Sequence, residues 1–205
     1  MDFAQLIKSR RSIRKFKPIK VPRRIVRAAL DLAKWAPSAH NSQPWRFVVV
    51  DDEEAKKRLA TEMGKAWISD MLKDGMPRDK AEEIVKLKSW ERITKSPIVM
   101  IACLTMEEMH KYPDLRRQRA EYVMAVQSVA AYIQTLLLVA HHYKLGACWI
   151  CAPLFCKNAV RKALDLPRNI DPQAMIIIGY AEEEPTLPPR KPLDEICAFH
   201  FWQKH

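Results

Sequence analysis

The chain has 205 residues, of which 48% are hydrophobic and 29% are charged, so it is long enough for one core and too apolar to be disordered. Only four glycines are present, and no two of them are spaced as in a Rossmann fingerprint or a P-loop. Both motifs use closely spaced glycines to bring backbone N–H groups to a phosphate. A nucleotide site in this chain must therefore be built from side chains.

The net charge of +11 is concentrated at the N-terminal end. Residues 1–27 contain ten basic residues and one acidic residue, Asp2. This excess indicates either a solvated basic face or a site for an anion, which would be a phosphorylated cofactor or nucleic acid. Nucleic acid is disfavoured, because Phe16 is the only aromatic residue of the basic arm, residues 10–16, and no helix-turn-helix or zinc-finger pattern is present.

The cysteines and the apolar segments bear on compartment, metals and membranes. Five cysteines, an odd number, and an N-terminal stretch without an apolar signal core favour reduced thiols in the cytoplasm. Cys148, Cys151 and Cys156 have no second pair of ligands at zinc-site spacing, so we expect no metal site. The longest uncharged run, residues 122–140, contains glutamines and hydroxyl residues, which favours a buried helix over a membrane span.

Hydrophobic periodicity and turn residues predict the elements in chain order. The first part is a helix at 2–8, the extended arm at 10–16, a helix at 22–35, a loop at 37–44 and a strand at 45–50. Helices at 53–63 and 66–95 follow, the second broken near Gly75. The remainder is a strand at 97–104, a long helix at 116–143, a short strand at 147–152, a helix at 153–164 and a strand at 173–180. This order predicts one α+β domain with a central mixed sheet of four or five strands flanked by helices.

Two segments indicate association between copies of the chain. The helix at 116–143 is apolar around most of its circumference, so we expect one side of it to lie at a homodimer interface. The tail, residues 183–205, begins with prolines but ends with large apolar side chains, and we expect it to wrap around the partner subunit.

Four short segments carry groups suited to a cofactor. If the arm is extended, Arg10, Ser12 and Arg14 face one side, and two guanidiniums flanking a hydroxyl suit a phosphate and a polyol. The loop at 37–44 offers neutral hydrogen-bonding side chains. Small residues before Pro153 would let a flat ring approach the main chain, and Arg190 projects from a proline-rich stretch.

Each of these segments also has an ordinary structural interpretation. The alternatives are an exposed basic strand, a polar turn, a core strand and a solvated linker. In the loop, His40 has no acid–base partner evident in the sequence, so the expectation for it is a solvent-exposed loop histidine.

Taken in order, the strings R-R-S-I-R, A-P-S-A-H-N-S-Q-P-W-R-F, L-G-A-C-W-I-C-A-P-L-F, G-Y and P-P-R-K-P-L resemble the nitroreductase family of flavin enzymes. Within that family, C-W-I-C-A-P-L-F and H-K-Y-P-D look most similar to the flavin-binding C-terminal domain of deazaflavin-coenzyme glutamyl ligases. The resemblance covers nearly the whole chain and is weakest over residues 60–95. It implies an FMN-dependent homodimer with two sites at the subunit interface.

The resemblance also implies which residues contact FMN. In the arm these are Arg10, Arg11, Ser12 and Arg14, for the phosphate, the ribityl chain and the pyrimidine edge. The partner subunit would contribute Ser38, Ala39, Asn41 and Gln43. The isoalloxazine would be lined by Ala152, Pro153 and Leu154, and Arg190 would be a second phosphate ligand. Many family members have an acidic residue and a glycine beside flavin N5, where this chain has Pro153 and Leu154.

The activity implied is hydride transfer from NADH or NADPH through flavin N5 to a small electrophile, such as a nitroaromatic or a quinone. The two substrates would share one pocket in a ping-pong sequence, and no side chain would act as a catalytic residue. One alternative is a specialised flavin reductase in deazaflavin coenzyme biosynthesis. A more distant alternative is a nucleic-acid binder that uses the basic arm.

Overall fold

The structure is a computed structural model that describes residues 2–201. Its helices are α1 (Phe3–Ser9), α2 (Arg23–Ala33), α3 (Glu53–Lys73), α4 (Arg78–Val85), α5 (Glu91–Lys95), α6 (Leu115–His142), α7 (Lys157–Leu164) and α8 (Leu193–Ile196). Its strands are β1 (Trp45–Val50), β2 (Ile98–Leu104), β3 (Gly146–Ile150) and β4 (Asp171–Gly179). Short 3-10 turns lie at Ala39–Asn41 and Ala152–Phe155, and a π-helical turn lies at Lys86–Trp90.

The four strands form one sheet in the order β1-β2-β4-β3. The predicted α+β fold is confirmed, with a correction to the sheet: neighbouring strands are antiparallel throughout and not mixed. Among the described residues, the parallel pairing is an isolated bridge between Ser12 and Ala147. Both central strands are buried almost throughout, because helices cover the two faces of the sheet.

The long helix α6 is the centre of one of the two helical layers. It packs with α2 on one face of the sheet, where Ala33, Ile133 and Leu136 are nearly inaccessible to solvent. The other face carries α3, α5 and α7. In the part of the chain described, α6 is the helix long and apolar enough to cross a membrane by length and composition. Its buried side chains pack inside the fold, as those of a core helix do.

The helical region between β1 and β2 departs from the sequence prediction. The first helix does not end at Met63, since α3 continues through Gly64 to Lys73. A Cβ atom at Gly64 would lie 2.8 Å from the Val85 side chain, so this glycine permits the close approach of α4. Gly75, at φ 83°, makes the turn into α4.

The predicted helix at 153–164 is divided into two parts. A 3-10 turn comes first, Cys156 then leaves helical geometry at φ −143° and ψ 41°, and α7 begins at Lys157. The described part of the tail, residues 183–201, is exposed apart from Glu183 and leaves large apolar side chains in solvent: Leu187, Leu193, Ile196, Phe199 and Phe201. Trp202, a further large apolar residue of the tail, lies outside the described residues.

Candidate functional site

The basic arm is held against the edge strand β3. Ser12 pairs with Ala147, and the Ile13 N–H donates a hydrogen bond to the Ala147 carbonyl at 3.0 Å. Ile13 is buried beside Gly146, where a Cβ atom would come within 2.8 Å of the isoleucine side chain. The predicted extended conformation is therefore confirmed, and it turns Ile13 inward and its two neighbours toward the opposite side.

Three guanidinium groups from the two ends of the chain lie close enough to repel one another. Burial lowers the pKa of Arg10, and the positive charges of Arg11 and Arg190 lower it further. Arg11 and Arg190 donate hydrogen bonds to main-chain carbonyls nearby. Within residues 2–201, none of the three forms an ion pair with a carboxylate. A phosphate fits this donor set, because forked guanidiniums bind it through charge-assisted hydrogen bonds.

Glu183 connects the start of the tail to the arm. Its carboxylate accepts hydrogen bonds from the backbone N–H groups of Arg14, at 2.6 Å, and Lys15, at 3.1 Å. The N–H of Glu182 donates to the Lys15 carbonyl at 3.1 Å. These contacts direct the tail back over the arm and bring Arg190 near Arg10. Sequence analysis missed Glu183, because nothing distinguishes it from its acidic neighbours.

The polar side chains of the arm turn toward Cys148 on β3. Burial raises the pKa of the Cys148 thiol. Four groups lower this pKa. The largest lowering comes from the charge of Arg14, followed by the charge of Arg92, a hydrogen bond with Ser12 and the charge of Arg10. Arg10, Ser12 and Arg14 therefore all act on Cys148, and that they share one side of the arm stays a prediction.

A cavity of about 620 Å³ adjoins Arg92. Met63 and Trp67 of α3 form one wall, and the end of β3 forms another. The volume lies within the range of small-molecule sites, roughly 300–1,000 Å³. Arg92 lines the cavity and also lies near Cys148, so the cavity and the polar side of the arm are adjacent.

The segment expected to line the isoalloxazine is only partly in this cavity. Ala152 lines it, whereas Pro153 is buried and Leu154 is 45% exposed outside it. Four further polar side chains line the cavity, and no motif in the sequence indicates them: Asp70, Lys88, Ser89 and Arg92. Asp70 is on α3, and the other three lie on or beside the π-helical turn, in the region where the resemblance is weakest.

The loop at 37–44 has an unusual backbone. His40 (φ 56°), Asn41 (φ 51°) and Gln43 (φ 46°) all adopt the left-handed region. Residues other than glycine rarely do so, and each such residue costs of order 1–3 kcal/mol unless its surroundings compensate. The side chains of Asn41 and Gln43 are exposed. The Gln43 Nε2 donates a hydrogen bond to the Asn41 Oδ1 at 3.5 Å. A strained backbone that presents two exposed amide side chains is typical of a binding loop.

Hydrogen bonds to two serines hold this loop in place. The Ala39 N–H donates to the Ser128 hydroxyl of α6 at 3.1 Å. The Gln43 N–H donates to the Ser38 hydroxyl at 3.0 Å. Of the residues predicted to contact the cofactor from the partner, Ser38 and Ala39 therefore fix the loop, and the two amides are left to bind.

Within one chain, the structure does not bring this loop to the arm. The loop meets α6 at Ser128, whereas Ser9, next to the arm, contacts His141 at 2.8 Å. Thirteen residues of helix separate these two points, which is roughly 20 Å at the helical rise of about 1.5 Å per residue. Within one chain, the arm, the cavity and Arg190 therefore lie near one another, whereas the loop at 37–44 lies elsewhere.

His40 is an exposed loop residue, as expected, but it has partners that the sequence does not reveal. Its Nε2 lies 3.3 Å from Oε1 of Glu121, and its ring stacks on that of His110 with 3.9 Å between centroids. The partners come from 70 and 81 residues further along the chain, so no local sequence signal could reveal them.

Comparison with known proteins agrees with this geometry. The sequence model of the Nitroreductase family matches residues 7–180. A Methanothermobacter thermautotrophicus protein named as an NADH dehydrogenase/NAD(P)H nitroreductase is 29% identical over 188 residues, which cover 90% of this chain and 80% of that one. NAD(P)H nitroreductase YfhC of Bacillus subtilis is 29% identical over 188 residues, covering 92% and 89%.

Solved structures show the same architecture. A nitroreductase of Desulfovibrio desulfuricans, crystallised in complex with FMN, superposes with a TM-score of 0.72 at 25% identity. The match covers 98% of this chain and 97% of that one. The predicted resemblance is confirmed over nearly the full length, and this chain belongs to the nitroreductase family.

Proposed function

We propose that the protein is an FMN-dependent oxidoreductase that takes electrons from NADH or NADPH and reduces a small electrophile, such as a nitroaromatic or a quinone. The observation that carries the proposal is the convergence of Arg10, Arg11 and Arg190, without carboxylate partners in residues 2–201, beside a ligand-sized cavity. The FMN complex of the Desulfovibrio relative and the names of the two sequence relatives support the cofactor and the electron donor.

The side chains of this chain would bind and orient the cofactor. Arg10, Arg11 and Arg190 would hold its phosphate, since their mutual repulsion is relieved by an anion. Ser12 would bind the ribityl chain, and Arg14, on the same side of the arm, would face the pyrimidine edge. When bound, FMN supplies the hydride-transfer chemistry, so no protein nucleophile is needed.

The cavity would hold the ring system and the substrates in turn. Trp67 and Met63 offer an apolar wall that excludes water, and Arg92 offers a positive charge at the border with the arm. Ala152 also lines the cavity and would lie against the ring system, whereas Pro153 and Leu154 do not line it. The electrophile would be oriented by the cavity walls.

The complete site would need two copies of the chain. The strained loop at 37–44 lies roughly 20 Å from the arm of its own chain, measured along α6. Its exposed amides, Asn41 and Gln43, would reach the FMN of a partner in a homodimer. Exposed apolar groups on α6 and the tail, including Val123 and Phe199, would be covered by the same association.

We propose that the protein is cytoplasmic, because five cysteines, an odd number, favour reduced thiols.

The test is reconstitution followed by turnover. The purified protein, incubated with FMN and freed of excess, should show flavin absorbance that NADH or NADPH bleaches under anaerobic conditions. A quinone, a nitroaromatic and a deazaflavin are then added to separate samples. The flavin absorbance should return in the sample that contains the class of acceptor that the protein reduces. Restoration by the deazaflavin alone would favour the biosynthetic alternative. A protein that retains no FMN would contradict the proposal.

A further inference from the structure

A buried carboxylate faces two histidines at the start of α6. Glu121 is 2% exposed. Its Oε1 lies 3.3 Å from Nε2 of His40, and its Oε2 accepts a hydrogen bond from the backbone N–H of His110 at 3.3 Å. The two imidazole rings are stacked and nearly parallel, at an angle of 20°. Three separate segments therefore deliver three metal-ligating side chains to one point.

The carboxylate lacks a permanent counter-charge. In the described range 2–201, no lysine or arginine forms an ion pair with Glu121. A buried carboxylate is costly unless a cation or strong donors neutralise it. Both histidines are exposed on their outer side, so an ion can reach the cluster from solvent.

We propose that His40, His110 and Glu121 bind a divalent transition metal ion of the Zn²⁺ class. Two imidazoles and one carboxylate match the ligand preference of such ions, whereas Mg²⁺ and Ca²⁺ prefer oxygen ligands alone. The three ligand atoms lie within 4.8 Å of one another. Ligands about 2.1 Å from a tetrahedral ion are roughly 3.4 Å apart, so the exposed imidazoles must close by about an ångström.

Metal binding at this point would stabilise the strained loop. His40 has a left-handed backbone and directly precedes Asn41, one of the two exposed amides. The loop is attached to α6 by the His40–Glu121 contact and by the hydrogen bond from Ala39 to Ser128, and a shared ion would strengthen the first of these attachments. The fourth coordination position would face solvent and hold water.

Cobalt(II) is the direct probe, because it replaces Zn²⁺ and gives visible absorption when bound by nitrogen and oxygen ligands. Titration of the chelator-treated, full-length protein should give a visible spectrum that saturates at about one Co²⁺ per chain and is abolished by Zn²⁺. An intense near-ultraviolet thiolate band would place the ion on a cysteine and overturn the proposal, as would the absence of any saturable spectrum.

Matched variants assign the ligands. Glu121→Gln and His110→Ala should each weaken Co²⁺ binding by at least about 100-fold, since loss of a residue that only orients a ligand already costs roughly 10- to 100-fold. His110→Asp, which keeps a ligand, should retain much of the affinity. His142→Ala changes an exposed histidine of the same helix and should bind as the unaltered protein does.

Heat denaturation provides a second readout if Glu121→Gln folds poorly. Zn²⁺ should raise the Tm of the unaltered protein and of His142→Ala, because an ion that binds only the folded state stabilises it. It should not raise the Tm of His110→Ala, whose altered residue is exposed. Equal Zn²⁺ effects in all three proteins would overturn the proposal.

Discussion

Two clusters of basic side chains in this fold differ in how their charge is balanced. In the first, the carboxylate of Asp171 on β4 accepts hydrogen bonds from four side chains on α6, α7 and β4 itself: Lys157, Arg161, Tyr122 and Gln173. The distances are 2.6, 2.8, 2.8 and 2.7 Å, respectively. Each positive charge there has a fixed partner, so the cluster joins two helices to the sheet.

In the second cluster, Arg10, Arg11 and Arg190 form no ion pair with a carboxylate among the residues described. Burial lowers the pKa of Arg10, and the charges of Arg11 and Arg190 lower it further. Such an arrangement adds nothing to the stability of the empty protein, because like charges repel. The contrast indicates a division of labour in which paired cations stabilise the fold and unpaired, converging cations bind a ligand. The following substitutions test that division, from the largest expected effect to the smallest.

Removing the shared carboxylate should destabilise the fold. Asp171→Asn leaves Lys157 and Arg161, which are only about a quarter exposed, without a counter-charge. We expect the free energy of unfolding to fall by about 2–4 kcal/mol, somewhat less than for a fully buried pair. Chemical denaturation measures this loss. As a control, Asp165→Asn removes the exposed partner of Arg58 and should lower stability far less, because solvent screens an exposed ion pair.

Removing one unpaired arginine should weaken FMN binding and leave the fold unchanged. Arg190→Ala should cost about 1.5–3 kcal/mol of FMN affinity, because a charge-assisted hydrogen bond is lost. Lys191→Ala should weaken FMN binding less, since the ammonium group of a lysine lacks the forked geometry of a guanidinium. Titration of the apo-protein with FMN compares the two, and equal losses would show that Arg190 is not a phosphate ligand.

Displacing the arm should reduce both stability and binding. In Gly146→Ala, the new methyl group would lie 2.8 Å from Ile13 and push the arm from β3. Overpacking of this kind costs about 1–2 kcal/mol of folding free energy. FMN affinity should fall as well, because Arg10 and Ser12 move with the arm. Gly75→Ala is the comparison, since its methyl group meets nothing within 4 Å although its φ is positive. Unchanged FMN affinity in Gly146→Ala would show that the arm does not take part in FMN binding.

The smallest effect concerns pH. Burial, together with the charges of Arg10 and Arg11, lowers the pKa of His141 below its ordinary value of 6.5. The folded protein therefore binds a proton less readily than the unfolded chain, and this group lowers stability as pH falls below about 6.5. In His141→Gln, the denaturation midpoint should decline less between pH 7.5 and pH 5.5 than in the unaltered protein. Equal declines would show that the pKa of His141 is not lowered in the folded protein.

Local patterns predicted most of the fold, because they depend on neighbouring residues. The apolar runs predicted the four strands to within two residues at each end, and Asp2 caps α1. The break expected after Met63 was wrong, since Gly64 contacts Val85 of α4, which lies 21 residues further along the chain. The antiparallel direction of the strands was also not predicted, because it depends on the paths that the long connections between the strands take.

The candidate site likewise has a part that local sequence predicts and a part that depends on distant residues. The arm was predictable from alternation, since Arg10, Ser12 and Arg14 need only an extended backbone. Glu183, Arg92 and the Glu121 cluster were not, because each acts through residues far away in sequence. The predicted contacts of Asn41 and Gln43 with a partner's cofactor stay predictions.

The central claim is that the unpaired arginines bind the phosphate of FMN, and riboflavin, which lacks that phosphate, tests it most directly. Apo-protein titrated with both flavins should bind FMN at least about 100-fold more tightly, since two or more charge-assisted hydrogen bonds of about 1.5–3 kcal/mol each are at stake. Arg190→Ala should lower the ratio of FMN affinity to riboflavin affinity, and Lys191→Ala should leave this ratio unchanged. Equal affinities for FMN and riboflavin in the unaltered protein would contradict the claim.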